Sequence, residues 1–488
     1  MGRKPDPHLP LLPLILDGVS GGLERILTQE GIPWLKQSAT ETQGQIVLWD
    51  SRRKGKPNLH EGQQAINIAE LTKEAYDPFG SLLEEQSSPH LWRVGMLELQ
   101  EQIARVAHRQ VRRKLLGQLR RQVEQAGGVW LRIAAFPFPY RSVFNFRIDY
   151  DEYHPEDFEQ TFKRVERSPE WFSHFICGSA YEPHPAILAR FQDLDTGGHG
   201  YWHHTYRLAD ENLANIRRGL DVLEEAGIES KGFVAPHGKY NAGLREALEE
   251  LGLEYSSEFS LAYDELPFFP QNSQVLQLPV HPVCLGLFLE AAERSQASLP
   301  GRVTQSEAVA LATDYFVSLI RQKYSAAEPI LLYGHPTGRL GAAPEILDAI
   351  LETVQSCAAL WKTTLREYAN WWQRRGAIQL QLHRRGSQYT LFVDSQTAPY
   401  RVGIEYCRGD LVALFPLDEP VVQFNPASLA FQKRHVLRYP SPTRIDRRES
   451  LKERFRQQID WEKVTPAEEI SDPSWRGWTK WMIRRLQG

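Results

Sequence analysis

Cysteine is scarce in this 488-residue chain: only Cys177, Cys284, Cys357 and Cys407, with no Cys-x-x-Cys pair among them. That scarcity excludes a disulfide framework and a cysteine-only zinc site, and a reducing, cytoplasmic setting is expected. Long apolar runs are also missing. The segment Leu9 to Leu16 carries two prolines, stops at Asp17 and lacks a small-residue cleavage site, so it reads as an opening strand rather than a signal peptide. No stretch approaches the roughly 20 apolar residues of a membrane-spanning helix. Neither charge sign dominates: 57 basic against 61 acidic residues give a formal −4, which argues against a protein that coats nucleic acid. Internal repeats and low-complexity segments are absent.

What is present is the composition of an ordinary folded chain, 42% hydrophobic and 24% charged, long enough for two or three domains. Residues 1–128 alternate short apolar runs with helical patterns and read as a small α/β domain. In it Leu23, Ile26 and Leu27 share a helical face that Gly31 is placed to end, and "QIVLWD" reads as a buried strand. An amphipathic helix is expected over 103–128, with Val106, Val111, Leu115, Leu116, Leu119 and Val123 facing a core and a basic opposite side.

From 129 to 375 strand-like runs ("VWLRIAAF", "SVFNFRIDYD", "HFICGSA", "GFVAPHG", "VLQLPVHPV", "PILLYGH") are separated by helical patterns. Repeated strand-then-helix implies parallel strands, and six or seven such units imply a closed or partly closed (β/α) barrel with its functional groups at the strand C-terminal ends. Residues 376–430 show period-two alternation, the pattern of a small antiparallel β module. The tail from 431 to 488 holds 14 Lys or Arg against 8 Asp or Glu, a net of +6. Its last helix puts Trp475, Trp478 and Met482 on one stripe and Arg476, Lys480 and Arg484 on another. Docking on the chain's own domain and peripheral contact with an anionic membrane are both open for it.

Nine of the fifteen histidines lie between 140 and 340. His199 and His203, in "DTGGHGYWHHTY", are four apart, the spacing that brings two imidazoles to one side of a helical turn; His204 is the alternative to His203. Asp149 and Asp151 stand two apart at the end of an apolar strand and share a face, where two ionised carboxylates repel unless a cation or a proton lies between them. A helix N-cap at Asp151 is the bland reading of the same stretch. "GFVAPHG" ends another strand in a turn, and His335 tips "PILLYGH".

In order and spacing these elements resemble the polysaccharide deacetylase family, the NodB-homology domain of carbohydrate esterase family four, over roughly residues 140–375. The resemblance implies a distorted NodB-type (β/α) barrel. It also implies Asp149 as general base, Asp151, His199 and His203 as ligands of a divalent metal, and His335 as catalytic acid. Zinc is the first expectation for the metal, with cobalt or nickel next. The backbone N–H of His237 is implied as an oxyanion donor. Three positions depart from the family pattern: Gly200 replaces Ser or Thr, Val234 replaces the Arg that orients the aspartate, and Tyr333 replaces Leu. Arg147, on the strand face of Asp149, is the expected substitute for the missing Arg. His281 either lines the pocket or makes a structural hydrogen bond, Asn241 is expected to cap a helix, and Glu258 and Asp264 lie among aromatics nearby.

The implied activity is metal-dependent removal of an N-acyl group from an amino sugar, on a carbohydrate or glycolipid substrate. A non-catalytic carbohydrate-binding or scaffold barrel, and a hydrolase of a non-sugar amide, are the alternatives.

Overall fold

A computed structural model describes residues 10–37, 44–72, 87–104, 107–259, 266–270, 272–298, 303–394, 400–434, 442–445, 450–470 and 472–487. Asp264 and Val106 lie outside the described residues. The centre is an eight-stranded sheet in which every pairing is parallel. Around it run Leu276–Gln277, Tyr255–Ser256, Gly232–Phe233, Thr196–Gly198, Phe172–Ile176, Ser142–Tyr150 and Ile330–Gly334, with Leu360–Lys362 also paired to Ser142–Tyr150. The two ends of that path meet where the His281 amide donates to the Leu331 carbonyl at 2.9 Å, which makes the sheet a distorted (β/α) barrel as expected.

The strand Ser142–Tyr150 is buried along its whole length. From Phe144 onward its even-numbered side chains are aromatic or aliphatic and pack outward: Tyr150 meets Phe158, Tyr181 and Phe191, and Phe144 meets Trp171. Beyond Val143 its odd-numbered set, Asn145, Arg147 and Asp149, is polar: Asn145 Nδ2 donates to Ser173 Oγ on the neighbouring strand, and Arg147 reaches the Ser257 carbonyl across the barrel. Period-two alternation thus delivers a polar row to the barrel mouth.

The N-terminal region forms its own four-stranded parallel sheet in the order Trp34–Lys36, Leu14–Asp17, Ile46–Trp49, Gln64–Asn67. Helix Gly21–Glu30 begins at Ser20, whose side chain accepts from the Leu23 amide, and ends at Gly31 in the left-handed region (φ 73°). Two expectations change. The helix begins only at His108, because Leu97–Ala104 pairs with Ser87–Val94 as an antiparallel hairpin. The run "VWLR" is not a barrel strand: Trp130–Ile133 pairs antiparallel with Val402–Arg408 of the C-terminal β module. A four-residue apolar run carries no record of its partner, and pairing is decided by what lies across from it in three dimensions. Five barrel strands have only two or three residues, Thr196–Gly198, Gly232–Phe233, Tyr255–Ser256, Leu276–Gln277 and Leu360–Lys362, too few to show a period at all.

Residues 376–424 contribute an antiparallel sheet of Gln379–Arg385, Gln388–Asp394 and Val421–Phe424, and Val402–Arg408 and Leu411–Leu417 a second. One continuous apolar core runs from Leu11 through the barrel to Phe424.

Candidate metal and catalytic site

At the barrel mouth a cavity of about 720 Å³ is lined by Arg147, Asp149, Asp151, His199, His203, His237, Tyr333 and His335, with Trp202, Phe259, Glu101 and Arg339 among its other walls. Strand Ser142–Tyr150 ends beneath it. Asp149 is only 2% exposed; its Oδ2 accepts from the Arg147 guanidinium at 2.7 Å, and its Oδ1 is buried with no hydrogen-bond partner. Arg147 is held in turn by the Ser257 carbonyl and lies over the Tyr333 ring at 4.8 Å. Val234, at the position where the family pattern has Arg, is an apolar buried residue, and Arg147 supplies the guanidinium from within the strand.

Asp151 sits past the strand end. Its Oδ1 is 3.1 Å from His199 Nε2 and 3.3 Å from His203 Nε2, and those two nitrogens are 3.2 Å apart. Ligands about 2.05 Å from a tetrahedral ion are roughly 3.3 Å from one another, so the triangle has the size of one face of such a site. The tautomer also fits. His199 Nδ1 donates to the Val234 carbonyl at 2.7 Å, which leaves Nε2 to present a lone pair towards His203 Nε2, an arrangement that requires a cation or a proton between them. Among the described residues this is the one group of three or more His, Cys, Asp or Glu with convergent ligand atoms.

The charges agree with the geometry. Burial pushes the Asp151 carboxyl up, but the charge of His335 and the hydrogen bonds of His199 and His203 overcome it and hold the pKa well below the usual carboxylate range. Burial pulls the His199 imidazole down, yet Asp151, Asp149 and the Val234 carbonyl raise it above the ordinary value. His335 goes the other way, to about 4, first through burial and with Arg339 opposing the raising effect of Asp151. Its Nε2 lies 3.5 Å from Asp151 Oδ2 and its Nδ1 accepts from Arg339 at 2.6 Å.

The two metal-type histidines do not share a helix. His199 follows strand Thr196–Gly198 and His203 lies in a bend, so the i, i+4 helical reading is corrected. Gly200 at φ 77° turns the chain between them, and a Cβ there would stand 2.8 Å from Asn215 Nδ2 and 2.9 Å from the Trp202 carbonyl, which is why neither Ser nor Thr fits. Asn215, on helix Ala209–Glu225, clamps the bend: Oδ1 accepts from the Trp202 amide at 2.7 Å and Nδ2 donates to the carbonyls of Trp202 and His204. Residues 460–469 grip the same bend. Asp460 meets His204 Nε2 at 3.3 Å and accepts from the Arg207 amide at 2.9 Å, Glu469 accepts from Trp202 Nε1 at 2.8 Å, and Thr465 bonds the Tyr206 hydroxyl. His204 therefore points to Asp460, away from the triad.

The other expected residues divide. His237 lies in the turn Pro236–Gly238 at φ 60°, its ring 4.8 Å from that of His203, and burial pulls its pKa to about 3. Tyr333 lines the cavity and its hydroxyl donates to the Pro282 carbonyl. His281 does not line it: it is buried behind the barrel wall, its Nε2 2.8 Å from the Tyr315 hydroxyl, so the pocket-lining reading is corrected in favour of the structural one. Asn241 caps its helix, accepting from the Leu244 amide. Glu258 is buried beneath the mouth, accepts from Ser256 and the Ala235 amide, and is pushed up to about 7 by burial. Asp151 caps no helix; its two oxygens face imidazoles. Glu101, Asn215, Arg339 and Asp460 were not legible as site residues. Glu101 does carry a signal, a carboxylate on the inward face of a strand otherwise set by Leu97, Leu99 and Ile103.

No protein-family profile and no curated protein sequence matches the chain. Solved structures that share the barrel include a Pseudomonas aeruginosa protein described as a polysaccharide deacetylase, 16% identical over 50% of this chain and 94% of that one, with a TM-score of 0.40. A Mycobacterium smegmatis protein described in the same terms is 18% identical over 48% of this chain and 91% of its own, TM-score 0.39. A Bacillus anthracis pseudoenzyme of carbohydrate esterase family four is 10% identical over 46% of this chain and 65% of its own, TM-score 0.29. Likeness this distant carries no argument, and activity is argued from the residues alone.

Proposed function

We propose that the chain is a metal-dependent hydrolase that removes an N-acyl group, most simply acetyl, from an amino sugar. The observation that carries this reading is the triangle of Asp151 Oδ1, His199 Nε2 and His203 Nε2 at 3.1–3.3 Å, with the His199 tautomer fixed by the Val234 carbonyl. These residues would hold the ion, zinc by donor chemistry. When bound, a divalent ion with open positions lowers the pKa of water and polarises an acyl carbonyl.

The chain's own groups do the rest. Asp149 is held at Oδ2 by Arg147, and its unpartnered Oδ1 is the base that takes a proton from the attacking water. The backbone N–H of His237 receives the oxyanion. His335 takes the acid's place, with Arg339 donating to Nδ1 so that Nε2 carries the hydrogen directed to the departing nitrogen. That hydrogen bond holds the nitrogen as it leaves, and the single proton that completes the amine is the one Asp149 took from the water, so one water is consumed and carboxylic acid and amine are the products. A cavity of about 720 Å³ with Trp202, Phe259 and Tyr333 in its walls suits a sugar ring. Four buried, unpaired thiols support a reducing compartment, and no helix among the described residues is long and apolar enough to cross a membrane.

The deciding experiment measures metal per chain and acetate release from a panel of N-acetylated amino sugars, in wild type and in His199→Ala and His203→Ala. About one equivalent of metal and turnover in the wild type, both lost in the variants, is the expected result. Absence of metal uptake from zinc, cobalt or nickel overturns the hydrolase. One observation favours a second reading: a guanidinium rather than a carboxylate backs His335, as suits a barrel that binds sugars without turnover. Metal binding without release from any N-acyl substrate would establish that alternative, and release from non-sugar amides alone would move the substrate class.

A further inference from the structure

Eleven large apolar side chains stand well exposed among the described residues, and six of them, Leu451, Phe455, Val464, Trp475, Trp478 and Leu486, come from one short C-terminal stretch. Helix Leu451–Gln458 is closed by a capping box at Ser450 yet buries none of its residues. Leu451, 79% exposed, and Phe455, 44%, share a face by their i, i+4 spacing, and Lys452, Arg454 and Arg456 are exposed beside them. Among the described residues nothing covers that face.

Helix Trp475–Gln487 is docked the wrong way round for a surface helix. Its charged stripe faces inward: Lys480 is buried 3.5 Å from Glu462 and above the Tyr206 ring, and Arg484 donates to Glu462 at 2.8 Å. Trp475 and Trp478 are left 60% and 59% exposed, where an ordinary amphipathic helix would bury them. The two helices are tied together, since Trp461 bonds the Arg456 carbonyl at the end of the first and stacks under Arg484 of the second. Val464, between them in the chain, is exposed and also lines the catalytic cavity, so this C-terminal stretch reaches the mouth.

We propose that this face is the contact surface for an anionic lipid bilayer and sets the catalytic mouth against the membrane. Interfacial binding needs Trp, Phe or Leu to enter the headgroup boundary and cations to meet anionic lipid. The patch offers both, with Lys452, Arg454, Arg456, Lys463 and Arg485 exposed against Glu468 and Glu469. The rest of the chain is net acidic, so by net charge this end is the one suited to a negative surface. A second copy is disfavoured as occupant, because a two-fold interface would set this basic patch against itself. That the membrane presents a lipid-linked substrate rests on the hydrolase reading; the contact itself does not.

The test is co-sedimentation of the full chain with vesicles of phosphatidylcholine, alone or with about a third phosphatidylserine. Wild type is compared with Trp475→Ser/Trp478→Ser and with Lys452→Gln/Arg454→Gln/Arg456→Gln. Wild type is expected to bind the anionic vesicles at least about tenfold better than the neutral ones. Each variant should lose most of that binding while keeping metal content and hydrolysis of soluble substrate. Failure to bind anionic vesicles, or undiminished binding by both variants, overturns the proposal, as does a dimer in light scattering that the Trp substitutions dissolve. Vesicle binding by a protein that hydrolyses nothing would leave the contact standing and remove the hydrolase.

Discussion

Two parallel sheets in this chain end in buried acids, and they treat those acids differently. In the N-terminal sheet Asp17 and Asp50 follow the strands Leu14–Asp17 and Ile46–Trp49, each paired with a half-exposed cation, Lys54 and Arg52 respectively. In the barrel Asp149 is paired on one oxygen only, and Asp151 faces three imidazoles and no lysine or arginine. A buried carboxylate at a strand end is therefore no sign of function by itself. Lone pairs converging without a cation to satisfy them are, because that arrangement is stable only when something positive enters.

The largest break in this contrast is expected from Asp151→Asn. Bound metal should fall from about one equivalent to none by elemental analysis, and hydrolysis by at least about a thousandfold, since the ion both activates water and polarises the carbonyl. Next is Arg147→Met, which strands Asp149 as a buried unpaired charge. Unfolding in denaturant should show a loss of about 3–5 kcal/mol. Turnover should fall with metal content intact, and unchanged kcat would remove Arg147 as the substitute for the missing motif Arg.

The third prediction concerns pH. His174 and His281 are held near 3 and His335 near 4 by burial, below the unfolded value of 6.5. The unfolded chain therefore binds more protons than the folded one as pH falls from 7 towards 5. Each such group should cost up to about 1.4 kcal/mol per pH unit there. His199, raised above 6.5, opposes them: its contribution is present below the unfolded value and fades as pH rises through its folded one. Glu258, pushed up to about 7 by burial, opposes them as well, so the metal-free protein should lose less stability between pH 7 and pH 5 than the three depressed histidines alone dictate. Denaturant titrations at pH 5, 6 and 7 check this, and a His199→Gln variant should steepen the loss.

A smaller effect is expected at Asp460→Ala, which frees His204 and the Arg207 amide. Metal should bind about tenfold more weakly with little change in melting temperature, and Asp460→Asn, which keeps the acceptor, should restore it. The smallest effect on the site is expected at Lys54→Met in the N-terminal sheet. Because Asp17 is buried while Lys54 is half exposed, stability should fall by about 1–3 kcal/mol with metal and turnover unchanged; a loss of metal there would erase the contrast between the two sheets.

The sequence shows the strand face shared by Arg147, Asp149 and Asp151, because alternation is local and needs no knowledge of the fold. It shows the capped helix Gly21–Glu30 and the cap at Asn241 for the same reason. His199 and His203 are legible as a pair, but the geometry that joins them is not helical, since it is made by Gly200 and by Asn215, fifteen residues further on. His281 shows the limit from the other side: a histidine at a strand end looks the same whether the strand points it into the cavity or into the wall.

Local periodicity and the short list of absences determined the class of the molecule: a barrel of alternating strands and helices with acids and imidazoles at strand ends and no disulfides. Tertiary structure alone decided the rest. It supplied Arg147 to Asp149 where Val234 left a vacancy in the motif, turned His204 outward to Asp460, and moved Trp130–Ile133 into another sheet. It also faced the charged stripe of the last helix inward and left its tryptophans in solvent. The reason is one of range: alternation and caps act over a few residues, whereas the partner of a charge or a strand is whatever the fold brings across from hundreds of residues away.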